Sequence, residues 1–430
     1  MRLPGRLSAA IEVLADVETR HRPIAEALKS WGLNNRFAGA GDRSAIGNLV
    51  YDALRKRLSH GWAMEADTPR ALVLSVAVRD WEISPEELND LFATDTHAPE
   101  TLSADEVHHL SKHEPWLGAS DHVLADVPEW AVPSLQAALG SNWVNEGRAM
   151  AGRPPLDLRV NTLRADRAKV LKSLERFGAE PTAIAPTGVR IASGSRDSRT
   201  PNVQVDEGYL KGWFEVQDQG SQIVAALTGA MPGEQVLDLC AGAGGKTLAM
   251  AAAMGNKGQI FAYDSDRHRL APIYDRLKRN GVRNAQVRAP NGGALDDLVG
   301  KIDRVVIDAP CTGSGTWRRR PDAKWKLTAD QVAARVIEQQ AILEEGIRFV
   351  RPGGTLVYIT CSILNEENGA QAAAFLATHP EFEAVPAVRA LETISPGAET
   401  HVHLDPGGGM ALTPLRTQTD GFFAITMCRR

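Results

Sequence analysis

"VLDLCAGAGGKTLAMAAAM", Val236 to Met254, decides the fold of this chain. A short apolar run meets a glycine-rich turn, and beyond Lys246 the residues are small helix formers. A strand, a turn poor in Cβ atoms and a helix start together offer exposed amide groups to the oxygens of a ligand. Three loop types compete for this pattern. A Walker phosphate loop requires Gly five positions before the Gly of Gly-Lys-Thr, where this chain has Cys240. A dinucleotide turn, Gly-x-Gly-x-x-Gly, is broken because Thr247 stands at the last glycine. The remaining option is an S-adenosylmethionine loop.

The surrounding rhythm agrees with a doubly wound α/β domain. From about residue 225, short apolar strands alternate with helical stretches: "QVLDLCA", "QIFAYD", "AQVRA", "RVVIDAP", "TLVYITC" and a terminal "GFFAITMC". In such a sheet ligands bind at the carboxyl ends of the strands. Asp264 closes the strand after the glycine turn, the place where an acid accepts hydrogen bonds from ribose hydroxyls.

Upstream the pattern differs. Residues 1–140 read as an all-helical domain, with near-3.6 periodicity in "SAAIEVLADVET", "SAIGNLVYDALRKRL" and "ALVLSVAVRDW". Ser84 with Glu87 and Ser103 with Glu106 match a capping box. Residues 141–225 read as a small α+β module, "LDLRVNT" then a helical "ADRAKVLKSLERFG" then "GVRIA". Between Arg153 and Arg176 it holds seven basic residues against three acidic ones, so it is a candidate RNA-binding module rather than a neutral spacer. The Rossmann-like domain then occupies 226–430, and 430 residues exceed what one hydrophobic core supports.

Composition narrows the class. The net charge of −5 gives no global attraction to polyanions, so nucleic acid would have to meet a local basic patch. The longest apolar runs are too short to span a bilayer, and the first twenty residues lack a signal-peptide core, so a cytoplasmic protein without membrane contact is expected. Four cysteines, at 240, 311, 361 and 428, are too dispersed for a zinc site, and no metal is expected.

Two of those thiols sit at strand ends. "VVIDAPCTGSGTWRRRPDAKW", Val305 to Trp325, puts Asp308 and Cys311 at one carboxyl end, and "GGTLVYITCSILNEEN" puts Cys361 at another. Parallel strands bring these ends to one rim. The chemistry that needs such parts is methylation at carbon 5 of a pyrimidine, a carbon too electron-poor to attack a sulfonium methyl unaided. A thiolate adding at carbon 6 activates carbon 5, a carboxyl at ring nitrogen 3 supports the developing charge, and a second group assists release. Spacing alone leaves open which cysteine is the nucleophile.

At these motifs the sequence resembles the RNA (cytosine-C5) methyltransferases, in particular the bacterial 16S ribosomal RNA type. The resemblance runs from "PLDLRVNT" through "FEVQDQGSQ", "LDLCAGAGGKT", "DAPCTGSGTWRRRPDAKW" and "TCSILNEEN" to "LTPLRTQTDGFF". It implies S-adenosylmethionine as cofactor, RNA as partner, Cys361 as covalent nucleophile and Cys311 as the release residue. It further implies cofactor contacts at Cys240, Ala241, Gly242, Ala243, Gly244, Gly245, Lys246 and Asp264, with Asp308 between cofactor and base and Lys246 near the catalytic groups. Two positions depart from the family: Ala243 replaces the usual Pro, which loosens the turn, and "VRAPNGG" offers Asn291 where an acid usually faces the adenine. Arg159 and the run Arg318, Arg319 and Arg320 are the expected phosphate contacts. The N-terminal helices loosely resemble the RNA-binding domain of bacterial antitermination factors. Competing readings are a noncatalytic RNA-binding assembly factor, a transfer-RNA methyltransferase and a small-molecule methyltransferase; the paired cysteines with Asp308 disfavour the first, and the extra domains disfavour the last.

Overall fold

The structure, a computed structural model, describes residues 1–430. Helices fill the chain from Leu3 to Met150, ten residues past the expected boundary. Those as far as Leu110 bury one core, including Leu7, Leu14, Ile46, Leu49, Leu72 and Leu74. At their N-termini Ser103 forms the full capping box with Glu106, whereas Ser84 only accepts from the Glu87 amide, at 3.1 Å. The later helices Val132–Leu139 and Trp143–Met150 belong elsewhere: Leu135, Leu139, Trp143 and Met150 pack against Trp317, Ile363 and Leu364, directly behind the two cysteine loops.

The small module is a four-stranded antiparallel sheet of β1 (Leu156–Val160), β2 (Ala179–Pro181), β3 (Gly188–Ile191) and β4 (Phe214–Val216), in the order β2-β3-β1-β4, with helix Arg167–Leu174 on one face. Period-2 alternation sorts β1: Leu158 and Val160 meet that helix, while Asp157 and Arg159 face the other way.

The large sheet contains β5 (Gln235–Asp238), β6 (Gln259–Tyr263), β7 (Ala285–Arg288), β8 (Ile302–Asp308), β9 (Val350–Thr360), β10 (Phe382–Val385), β11 (His403–Leu404), β12 (Met410–Leu412) and β13 (Phe422–Arg429). Its order is β11-β12-β13-β9-β8-β5-β6-β7, with β10 also on β13. The run β9-β8-β5-β6-β7 is parallel, and β13 returns antiparallel to β9. Helices cover both faces of the parallel strands, which explains their unbroken apolar sequence: Val305, Val306 and Ile307, like Leu356 through Ile359, are fully buried. The order reverses between β5 and β8, so the crevice at their carboxyl ends is the topological switch point. No helix is long and apolar enough to cross a membrane.

The helical domain is docked onto the large one by buried polar contacts. Lys324 Nζ donates to the carbonyls of Arg55 (2.8 Å) and Asp126 (2.6 Å), Trp325 Nε1 donates to Leu54 O (2.7 Å), and Arg55 Nε donates to Arg318 O (2.7 Å). Arg55, Lys56 and Arg57 are each held in ion pairs, with Asp52, Asp80 and Glu18 respectively. Lys324→Met leaves two buried carbonyls unpaired and is expected to lower stability by about 3 kcal/mol, measured by urea denaturation.

Candidate active site

The glycine turn is held from three sides. Ala241 N donates to Tyr263 O at 2.8 Å, Gly242 N donates to Asp264 Oδ2 at 2.9 Å, and Arg276 Nη1 donates to Ala243 O at 2.7 Å. Gly244 has φ +84°, and a Cβ there would lie 2.5 Å from Ile273 Cγ1, so the position accepts only glycine. A Cβ on Gly242 would meet nothing closer than 3.8 Å, which leaves the face of the turn open to a ligand. Arg276 also pairs with Glu215 of β4 at 2.9 Å. This tie to the small module braces the turn at the residue where proline is missing.

Asp264 is buried at the end of β6, with its oxygens 2.9 Å from the amides of Gly242 and Asp266. Each oxygen keeps a second lone pair on the rim. Cys240 is packed beside the core, and burial pushes its thiol well up. Asn291 is exposed three residues beyond β7, at the same end of the sheet. Asp238, at the end of β5, is completely buried; burial raises its carboxyl to about 7 although Thr247 Oγ1 donates to it at 2.6 Å.

Lys246 opens the helix Gly245–Ala253 and turns back over the turn, donating from Nζ to Asp308 Oδ2 at 2.8 Å and to Ser221 Oγ at 3.2 Å. Its side chain is only 7% exposed, so the cation is directed at the carboxylate. Cys311 and Cys361 leave the adjacent ends of β8 and β9 and bring their sulfurs to 3.3 Å. Gly315 N donates to Cys361 O at 3.0 Å, which ties the two cysteine loops through their backbones. A Cβ on Gly315 would lie 2.1 Å from Gly421 O, so the Cys311 loop also lies flush against the turn before β13.

This contact separates the two thiols electrostatically. The Cys361 pKa is lowered, first by the hydrogen bond from Cys311 and further by the Lys246 cation, against burial and the Asp308 charge. The Cys311 pKa is pushed well up, first by the same bond and then by burial. The shared contact thus shifts the two thiols in opposite directions, downward at Cys361 and upward at Cys311.

The arginine run requires a correction. Arg318 is 5% exposed and donates from Nε to Asp420 at 2.5 Å, while Arg319 donates to Asp420 at 2.5 Å and to Asp218 at 3.0 Å. These carboxylates occupy the groups assigned to phosphates, and the pairs join the "QDQ", "WRRRP" and "TDG" stretches; Arg320 alone of the run is exposed. Arg159 is buried as well, in the interface between the small sheet and the large domain, and is not a surface contact.

A family model described as 16S rRNA methyltransferase RsmB/F matches residues 225–428, and one described as the ferredoxin-like domain of RsmF/B-like methyltransferases matches residues 127–196. This chain belongs to the RsmB/F methyltransferase family. Ribosomal RNA small subunit methyltransferase B of Klebsiella pneumoniae is 38% identical over 309 residues, covering 70% of this chain and 66% of that relative, just under two thirds of its length. Among solved structures, the crystal structure of PH0851 covers 99% of both chains with a TM-score of 0.73 and 26% identity. A methyltransferase homologue from Pyrococcus horikoshii covers 72% of this chain and 98% of its own, with a TM-score of 0.58 and 26% identity. The open face of the turn beside Asp264 fits the S-adenosylmethionine that the sequence motifs imply.

Sequence reasoning passed over Ser221, Asp238 and Arg276. Ser221 and Asp238 lie inside stretches singled out for the resemblance, but nothing in the sequence placed Arg276 against the turn. Iodoacetamide titrated against pH is expected to alkylate Cys361 at lower pH than Cys311 or Cys240, read by peptide mass spectrometry. Cys311→Ala removes the neighbouring thiol and moves the Cys361 onset to higher pH.

Proposed function

We propose that this protein methylates carbon 5 of a cytosine in RNA, 16S ribosomal RNA in particular, through a covalent bond between Cys361 and the base. The observation that carries the reading is the 3.3 Å contact between two thiols of opposite pKa direction beside the Lys246–Asp308 pair.

S-adenosylmethionine supplies an electrophilic methyl on a sulfonium centre. The Cys361 thiolate forms a bond from Sγ to carbon 6 of the base, and the ring electron pair moves toward carbon 5. Asp308, fixed by Lys246, lies at the rim where it supports charge on ring nitrogen 3. Carbon 5 then takes the methyl, with the broken carbon–sulfur bond leaving its electron pair on the departing thioether. Cys311, once its own proton has passed to water, accepts the carbon 5 proton. The C–H electron pair forms the carbon 5–carbon 6 double bond, and the electron pair of the bond to carbon 6 leaves with Cys361 as thiolate. The half-buried carboxylate–ammonium pair and the tied loops hold these groups before the base arrives.

The target cytosine must leave its stack to reach the rim, at about a few kcal/mol. Arg320 beside the cysteine loop, and Arg164, Lys169 and Lys172 on the small module, are exposed cations that neutralise flanking phosphates. They replace the buried arginines as the proposed RNA contacts.

Incubation with labelled cofactor and unmodified small-subunit RNA is expected to yield 5-methylcytidine, and Cys361→Ala to abolish it. Cys311→Ala is expected to accumulate a denaturant-resistant protein–RNA adduct on gels. Absence of product with ribosomal and transfer RNA alike, despite RNA binding, would favour the noncatalytic assembly-factor reading. Arg320→Ala should weaken RNA binding and reduce its salt slope by about one, measured by filter binding across a salt series.

A further inference from the structure

We propose that Glu367 is a positioning residue whose carboxylate clamps the two cysteine loops together and sets the alignment of Cys311 with Cys361. This rests on the two-thiol reading of the site.

Glu367 is completely buried, six residues after Cys361, yet it spans both loops. On the Cys311 side, Thr312 donates to it twice, from N to Oε1 at 2.8 Å and from Oγ1 to Oε2 at 2.6 Å. On the Cys361 side, Ser362 Oγ donates to Oε2 at 2.5 Å. Gln339 Nε2, from the helix Ala329–Ile347 behind the loops, donates to Oε1 at 3.0 Å. Four donors converge on two oxygens, which fills the acceptor capacity of a carboxylate. Its own backbone is anchored too, because Tyr358 OH donates to Glu367 O at 2.7 Å. Thr312 and Ser362 are the immediate chain neighbours of Cys311 and Cys361. A tether this short transmits any displacement of the carboxylate to the sulfurs, and misplacement by about 1 Å costs about 100-fold in rate.

The charge has a second effect. Cys361 is faced by Cys311 from the neighbouring loop, Asp308 from the end of β8, Lys246 from the start of its helix, and Glu367. Of these, Glu367 and Asp308 oppose the thiolate, and Cys311 and Lys246 favour it. Glu367 therefore holds geometry at some expense in thiolate population.

Three measurements on full-length Glu367→Gln and Glu367→Asp test this. Diamide, a two-electron oxidant that takes both thiol hydrogens as the Cys311–Cys361 bond forms, is expected to close that disulfide at least 10-fold more slowly in both variants. Iodoacetamide alkylation of Cys361 is expected to begin at lower pH in Glu367→Gln, where the opposing charge is gone, and at the wild-type pH in Glu367→Asp. Turnover on RNA should fall about 100-fold in both, with S-adenosylmethionine affinity unchanged within twofold. Wild-type disulfide closure and turnover in Glu367→Gln would overturn the clamp. Failure of the wild-type protein to methylate RNA would instead sink the proposed function, while disulfide closure and alkylation would still judge the clamp. If Glu367→Gln does not fold, Glu367→Asp decides: normal closure and turnover there overturn the proposal, and slow closure with the wild-type alkylation onset supports it.

Discussion

The parallel register of β8 on β9 is the constraint on which the site depends. Pairing Val305 with Leu356 and Asp308 with Ile359 makes the two strands end side by side, so that both cysteine loops leave the sheet at one point. A slip of one residue would displace one loop by about 3.3 Å, as far as the sulfurs are apart. It would also turn every side chain to the opposite face of the sheet. The register is specified by burial on both faces, with Ile307 and Tyr358 in one core and Val306 and Val357 in the other. Hydrophobic burial far from the reacting atoms thus fixes the distance between the thiols.

Charge is spent inside the molecule before it is spent on a partner. Lys246 and Asp308 neutralise each other at the rim, and Arg318 and Arg319 are consumed by Asp218 and Asp420. Removing one member of such a buried pair costs about 3–5 kcal/mol because the other is left uncompensated. These pairs fasten residues about 100 positions apart in sequence, "QDQ" to "WRRRP" to "TDG". They are a frame for the Cys311 loop, whereas Arg320 next to it, and Arg164, Lys169 and Lys172 on the small module, remain exposed.

Several parts of this arrangement are local and others are not. The strand, turn and helix at Val236–Met254 are legible because periodicity and glycine placement are local properties, and the same holds for the strand endings at Asp308 and Thr360. The helices Val132–Leu139 and Trp143–Met150 were read with the N-terminal domain or the junction, yet they buttress Trp317, Ile363 and Leu364. An amphipathic face announces that it will be buried, not against what. The arginine run misled for a similar reason: three consecutive cations look alike in sequence, and only packing distinguishes buried Arg318 from exposed Arg320.

The sequence by itself determined the doubly wound domain and its glycine turn, and it supplied the thiols and the carboxylate that the proposed chemistry would use. Each follows from local pattern and from the chemical nature of the side chains. The tertiary structure alone decided which charges are free, which helix supports which loop, how Arg276 braces the turn at Ala243, and that Glu367 reaches both cysteine loops. Those are relations between distant parts of the chain, and burial and hydrogen-bond geometry exist only once the parts have met.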